Sequence, residues 1–270
     1  MNELNRTRIF ADTADIEVIR GLIEEGVPLD GVTTNPSLLK KAFEGRSFSE
    51  EELNQAYINL LKEIRVLLPE GSISGEIYVT EESTKDEILN KAREMSKQVE
   101  DLHIKIPITI EGLKAANEAV KEGISVNMTL CFSREQAMAV EMATQEAIDN
   151  DSVYVSPFVG RLNDIGIRGM SLIEAIATDF SIQKAHTQLL AASIRTMDQF
   201  QECLRAGIDI VTVPVEVLMQ WKKIDFKIFE DIDKGEIQIE EDFTKYNTAH
   251  QLTTKGIEQF VQATKDLLTK

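Results

Sequence analysis

The amino-acid sequence predicts an α/β protein, a single (β/α)8 or TIM barrel, and three observations carry that expectation. Eight short apolar or β-branched runs alternate with longer segments whose apolar residues recur at helical spacing, the pattern of βα units around a parallel sheet. The chain has 270 residues, 43% of them hydrophobic, enough for one large core, and single barrels run to about 250 residues. No repeat, low-complexity run or Gly/Ser linker divides it, so residues 1–270 read as one domain. An open doubly wound sheet would show the same alternation, but eight units favour closure.

Taken in order, the first strand is read at 8–13 (RIFADT) and leads to a helix in EVIRGLIEEG. The second, 31–35 (GVTTN), runs into Pro36, which suits the first turn of a helix. Ser49 three residues before Glu52 has the spacing of a reciprocal cap and opens the helix before the third strand, 73–79 (ISGEIYV). DEILNKAREMSKQV then precedes the fourth strand, 102–108 (LHIKIPI), and the fifth follows at 125–131 (SVNMTLC). Ser133 with Gln136, Ser171 with Glu174 and Thr196 with Gln199 repeat the capping spacing around the sixth strand, 152–158 (SVYVSPF), and the seventh, 188–193 (QLLAAS). The eighth strand is 208–213 (IDIVTV), after MDQFQECLRAG. Gly21, Gly26, Gly123 and Gly207 stand where helices could stop. A charged segment at 225–248 reads as a solvated insertion before a last helix at roughly 249–268.

The formal net charge of −17 repels polyanions and argues against nucleic acid or an anionic membrane surface as a partner. A small anionic substrate then needs a local cluster of Arg or Lys. His103, His186 and His250 stand in unrelated contexts and offer little to a metal site. Cys131 and Cys203 are not spaced for metal or redox work, which fits a reducing cytoplasm. The opening MNELNRTRIF carries no long apolar stretch, and no segment approaches the roughly 20 apolar residues of a membrane span, so a soluble chain without a signal peptide is expected.

In a parallel barrel the substrate sits at the carboxyl ends of the strands, so polar residues late in an apolar run draw attention. Lys105 lies opposite Ile104 and Ile106 by period two, and an amine in an apolar interior is suited to forming an imine with a ketone. The plainer reading is a lysine that snorkels or pairs with a carboxylate. Asp12 ends the first strand, where it could instead cap the next helix, and Asn35 could bond locally within its turn. Glu76, inside ISGEIYV, would be buried and would need a partner or a raised pKa. Asn127 and Thr129 share one face, and Ser156 nears the end of its strand. Arg161 after the sixth strand and Ser193 with Arg195 after the seventh read as an anion site, since phosphate is commonly held late in such barrels; salt-bridged surface arginines are the alternative.

The segments ADTAD (11–15), VTTNPSLL (32–39), KIPIT followed by EGLKA (105–115), NMTLCFS (127–133), SPFVGR (156–161) and AASIRT (191–196) together resemble the transaldolase family, in the compact form related to bacterial fructose-6-phosphate aldolases. The resemblance spans about residues 8–215. It implies Lys105 as the Schiff-base lysine, Asp12 as the carboxylate that takes the C4 hydroxyl proton as the C3–C4 bond breaks, and Glu76 as the acid that moves protons through a bound water. It implies that Asn35, Asn127, Thr129 and Ser156 orient a dihydroxyacetone unit, and that Arg161, Ser193 and Arg195 hold the phosphate. It further implies sugar phosphates as substrates, no metal or other cofactor, and a homo-oligomer. The resembling aldolases carry glutamine and tyrosine where this chain has Glu76 and Phe158, which favours transfer over simple cleavage; a fructose-6-phosphate aldolase that releases dihydroxyacetone is the runner-up, and a non-catalytic phosphate-binding barrel the alternative from another class. Asn163, Ile167 and Arg168 depart from the family pattern after SPFVGR. Arg168 is expected to add charge near the anion pocket, which admits a sulfonated ketose as an alternative substrate.

Overall fold

A computed structural model describes residues 7–149, 151–221 and 239–268. Eight parallel strands close into a barrel in sequence order, the first pairing with both the second and the eighth. They are β1 Arg8–Asp12, β2 Gly31–Thr33, β3 Ser72–Glu76, β4 Leu102–Pro107, β5 Val126–Cys131, β6 Val153–Pro157, β7 Gln188–Ala191 and β8 Ile210–Val213. Each expected strand is present. Most stop short of the apolar run at the carboxyl end, because there the chain leaves the ladder to turn towards the site.

The helices between them are α1 Ile16–Glu24, α2 Pro36–Ala42, α3 Glu50–Leu67, α4 Lys85–Gln98, α5 Ile110–Lys121, α6 Arg134–Ala143, α7 Val159–Asp164, α8 Gly169–Gln183, α9 Met197–Ala206, α10 Val215–Gln220 and α11 Gln251–Lys265. Ser49 and Glu52 form the expected reciprocal cap on α3, and Thr84 with Glu87 forms a second one on α4. Ser133 and Thr196 cap α6 and α9, but their glutamines bond one residue earlier, to the N–H groups of Phe132 and Arg195. Ser171 is not a cap. Helix α8 starts two residues before it, where Gly169 lies so close to α7 that a Cβ would stand 2.3 Å from the Val159 carbonyl oxygen. Gly207 ends α9 with φ +62°, as a left-handed cap should, whereas Gly21 lies inside α1.

The expected insertion at 225–248 lies outside the described residues up to 238; beyond it, Phe243–Lys245 forms a short 3-10 turn that precedes α11. No described helix is long and apolar enough to cross a membrane. Helix α11 returns to the barrel mouth. Its Thr253 hydroxyl donates to the carbonyl of Leu130, a residue with φ +59° where β5 bulges, and Gln136 of α6 donates to Thr253 Oγ1 and the Thr248 carbonyl. These buried bonds fix the last helix over the carboxyl ends of the strands.

Candidate active site

Lys105 sits in the middle of β4 and is 5% exposed, with Ile104 and Ile106 fully buried on the opposite face. Its Nζ donates to the Thr34 carbonyl at 2.7 Å and lies 3.0 Å from Glu76 Oε2. The register explains the encounter, because Glu76 on β3 is the direct neighbour of Lys105 on β4. The carboxylate and the ammonium thus form a buried ion pair, with both side chains almost wholly out of solvent. Burial pushes the Glu76 pKa up, and the charge of Lys105, its hydrogen bond and then the charge of Arg161 pull against it.

Asp12 ends β1 and does not cap the following helix; Asp15 does that, accepting from the N–H groups of Glu17 and Val18. Asp12 is thereby left to the cavity. Its Oδ1 accepts from Thr33 Oγ1 at 2.8 Å, and Thr33 touches Thr212 of β8 at 2.5 Å. Burial raises the Asp12 pKa, against the opposing charge of Lys105 and the Thr33 bond.

A cavity of about 220 Å³ opens between these groups, lined by Asp12, Asn35, Lys105, Thr129 and Ser156. Arg161, Ser193 and Arg195 line its outer part. Glu76 and Asn127 stand one layer behind. Asn127 accepts from Ser156 Oγ at 2.5 Å and donates to Ser74 Oγ at 3.1 Å, so it aims the serine rather than facing the cavity. Asn35 does both things expected of it, accepting from the Leu38 N–H as the cap of α2 while lining the cavity. Thr129 Oγ1 is buried there without a hydrogen-bond partner among the described residues.

The two arginines differ. Arg195 forms a two-pronged pair with Asp164, with Nη2 to Oδ2 at 2.8 Å, and is packed so tightly on Gly160 that a Cβ there would meet its Nε at 2.6 Å. Arg161 instead lies between two rings, its guanidinium carbon 5.1 Å from the Phe158 centroid and 5.5 Å from that of Phe260. Burial lowers its pKa, with no carboxylate in hydrogen-bond contact among the described residues. Ser193, beside them, has φ +56°, a left-handed conformation costly for a residue with a Cβ.

Several participants escaped the sequence reading. Thr33 and Thr212 tie Asp12 to the strands on either side of β1, and the Thr34 carbonyl takes the lysine. Phe260 comes from α11, and no local pattern ties it to residues a hundred positions upstream. Gly256, on the same helix, makes room for Arg161, since a Cβ there would stand 2.7 Å from its Nη1. One expectation about the site is overturned. Arg168 does not reach the cavity but pairs with Glu174 and Glu202, and Asn163 accepts from the Gly169 N–H at 2.7 Å, so two of the three departures from the family pattern brace the start of α8.

A family model described as Transaldolase/Fructose-6-phosphate aldolase matches residues 9–270. A Clostridium botulinum (strain Eklund 17B) protein named probable transaldolase is 40% identical over 255 residues, 94% of this chain and 96% of that one. Proteins of the same name from Brachyspira hyodysenteriae and Brucella ovis are 37% and 35% identical, each over 94% of this chain and 95% and 94% of their own lengths.

The chain belongs to the transaldolase/fructose-6-phosphate aldolase family.

It is thus an enzyme of that family, and each of the six family-like segments contributes at least one residue to the wall of the one cavity. Among solved structures, the thiamine phosphate pyrophosphorylase of Pyrococcus furiosus superposes with a TM-score of 0.52 at 12% identity, over 99% of this chain and 100% of that one. An enolase of the mandelate racemase subgroup from Agrobacterium tumefaciens gives 0.51 at 14% identity, over 78% and 55%. At such identities the likeness speaks for the barrel alone.

Proposed function

We propose that this enzyme is a transaldolase, moving a dihydroxyacetone unit from a ketose phosphate to an aldose phosphate through a Schiff base on Lys105. The observation that carries this reading is the buried Lys105 amine at a cavity floor, 3.0 Å from the Glu76 carboxylate and 2.7 Å from a carbonyl. The amine passes a proton to Glu76 and its lone pair attacks the ketose C2 carbonyl, giving a carbinolamine. The Glu76 carboxyl, whose pKa burial raises and which stands behind the cavity wall, returns a proton through a bound water to the C2 oxygen, which departs as water and leaves a protonated imine. Asp12 takes the C4 hydroxyl proton while the electrons of the C3–C4 bond flow into the imine. The aldose phosphate leaves, and a second one takes up the held carbons by the reverse steps.

The remaining residues divide the substrate between them. Asn35, Thr129 and Ser156, the last aimed by Asn127, meet the dihydroxyacetone hydroxyls, and the unpaired Thr129 hydroxyl supplies one such bond. Arg161, Ser193 and Arg195 take the phosphate, for which Arg195 exchanges Asp164. The free, buried cysteines Cys131 and Cys203 fit a reducing cytoplasm, the net charge of −17 disfavours nucleic acid, and a homo-oligomer is the assembly to look for by sedimentation.

Borohydride reduction in the presence of fructose 6-phosphate tests the covalent step. A mass increase on the peptide holding Lys105 is expected, and its absence sinks the reading together with any claim to catalysis through this amine. The closest rival is a lyase that frees dihydroxyacetone. Phe158 speaks against it, because it offers the cavity no hydroxyl to help protonate the bound carbanion. Turnover of fructose 6-phosphate should depend on added erythrose 4-phosphate; equal rates without it would favour the lyase.

A further inference from the structure

The lysine–glutamate pair is held by a residue that never reaches the cavity. Helix α3 buries Tyr57 at the seam between β2 and β3. The last ladder contact on that seam is the Thr34 N–H to the Ser74 carbonyl, 3.0 Å, after which the chain turns at Asn35 into α2. Glu76, two residues further along β3, therefore has an N–H facing a side that β2 has left. The Tyr57 hydroxyl fills that place, accepting from the Glu76 N–H at 2.7 Å, and it touches Thr34 Oγ1 at 2.7 Å.

The hydrogens can be followed. With the phenol oxygen accepting from Glu76, its own hydrogen goes to Thr34 Oγ1, whose hydrogen goes on to the Ser74 carbonyl at 3.1 Å. Burial raises the phenol pKa, so it stays a neutral donor. Thr34 in turn offers its carbonyl to Lys105 Nζ. Gly75 keeps the approach clear: a Cβ there would stand 3.3 Å from the phenol oxygen and 3.0 Å from Leu61. A single hydroxyl is thus bonded to the backbone of the acid and to the residue that holds the amine.

We propose that Tyr57 is a positioning residue for imine formation, fixing the distance between Glu76 and Lys105 by bonding the Glu76 backbone and the Thr34 side chain at once. The proposal rests on the Schiff-base reading of Lys105. Removing the hydroxyl leaves the Glu76 N–H buried without a partner, so the strand end moves and the proton exchange with the lysine slows, while the cavity walls that bind substrate are untouched.

The test compares the wild-type chain with Tyr57→Phe and Thr34→Val, using fructose 6-phosphate and erythrose 4-phosphate. In Tyr57→Phe, kcat should fall roughly ten- to a hundredfold with KM within about twofold, borohydride trapping at Lys105 should slow by the same factor, and the pH profile of kcat should move by about half a unit or more. Thr34→Val should show a smaller fall and a shift of the same sign, and the double variant should lose no more than Tyr57→Phe alone. A Tyr57→Phe protein that melts earlier but keeps the wild-type kcat and pH profile overturns the proposal. Should that variant fail to fold, an unaltered pH profile in Thr34→Val overturns it equally. Wild-type enzyme that is not trapped at Lys105 removes the Schiff-base reading itself, a result that differs from normal trapping in an unaffected Tyr57→Phe.

Discussion

At the floor of the barrel His103 stacks on Tyr154 with ring centroids 4.0 Å apart, and Arg8 reaches over the same ring to Asp151 and the Tyr154 hydroxyl. His103 Nε2 meets the Asp151 carbonyl at 2.7 Å, and the Tyr154 hydroxyl reaches Ser72 at 3.2 Å. At the mouth, Thr129 Oγ1 is buried with no partner among the described residues, Glu76 faces Lys105 as a buried ion pair, and the partly buried Arg161 rests against two rings. The hollow beside the floor, about 640 Å³, is the larger of the two, against about 220 Å³ at the mouth. Size does not mark the working end. Nor does unmet hydrogen-bonding capacity alone, since Thr7 Oγ1, Thr187 Oγ1 and Arg65 Nε are also buried without a partner among the described residues towards the floor. What sets the mouth apart is that the buried ionisable groups Lys105, Glu76 and Asp12 meet there beside a cavity.

The two ends should also respond to acid in opposite directions. Asp12 and Glu76 have raised pKa values, so what they contribute to stability is present below the unfolded value of about 4 and is lost as pH rises through the raised folded values. His103 is pushed down to about 4 by burial, so its contribution is present above about 6.5 and is lost as pH falls towards 4. Acid therefore relaxes the mouth and loads the floor.

The largest break in this contrast is expected from Lys105→Met. Turnover should vanish, and at neutral pH unfolding should be easier by about 3–5 kcal/mol, since two buried carboxylates lose their counter-charge. Circular dichroism melts at pH 5 and pH 8 check it, with the deficit smaller at pH 5. Retained turnover would mean that another amine is the working one. Asp12→Asn comes next: kcat should drop on the order of a hundredfold to ten-thousandfold. Its melting point relative to the parent should climb between pH 4 and pH 8, and a flat difference would argue against a strained carboxylate at the mouth. In the anion site, Arg161→Gln should raise KM for the sugar phosphate roughly tenfold to a hundredfold. Arg195→Gln should raise it less, because Arg195 must first give up Asp164; steady-state kinetics on both variants rank them. The smallest functional effect belongs to the floor. His103→Gln should leave kcat within about twofold at 25 °C while flattening the loss of melting temperature between pH 6.5 and about 4, and a large kcat change would mean that the two ends are coupled.

Most of the candidate site is legible in the sequence. Period two in LHIKIPI puts Lys105 opposite two isoleucines, and the barrel rule places Asp12, Glu76 and Thr129 at one end, since all sit late in parallel strands. Capping was only partly legible. Ser171 and Glu174 have the right spacing, but Gly169 lets α8 begin earlier against α7, a packing matter that spacing does not reveal. Arg168 shows the same limit: its charge is in the sequence, but Glu174 and Glu202 decide where it goes.

The sequence by itself determined the eight strands, their alternation with helices and the polar residues that end them, because strand periodicity and turn chemistry are local. Only the tertiary structure decided what those residues do to one another. The register of β3 on β4 set Glu76 against Lys105, the return of α3 brought Tyr57 beneath both, and α11 laid Phe260 over Arg161. Such meetings depend on register and on helices packing back from far along the chain, and no short stretch of sequence holds that information.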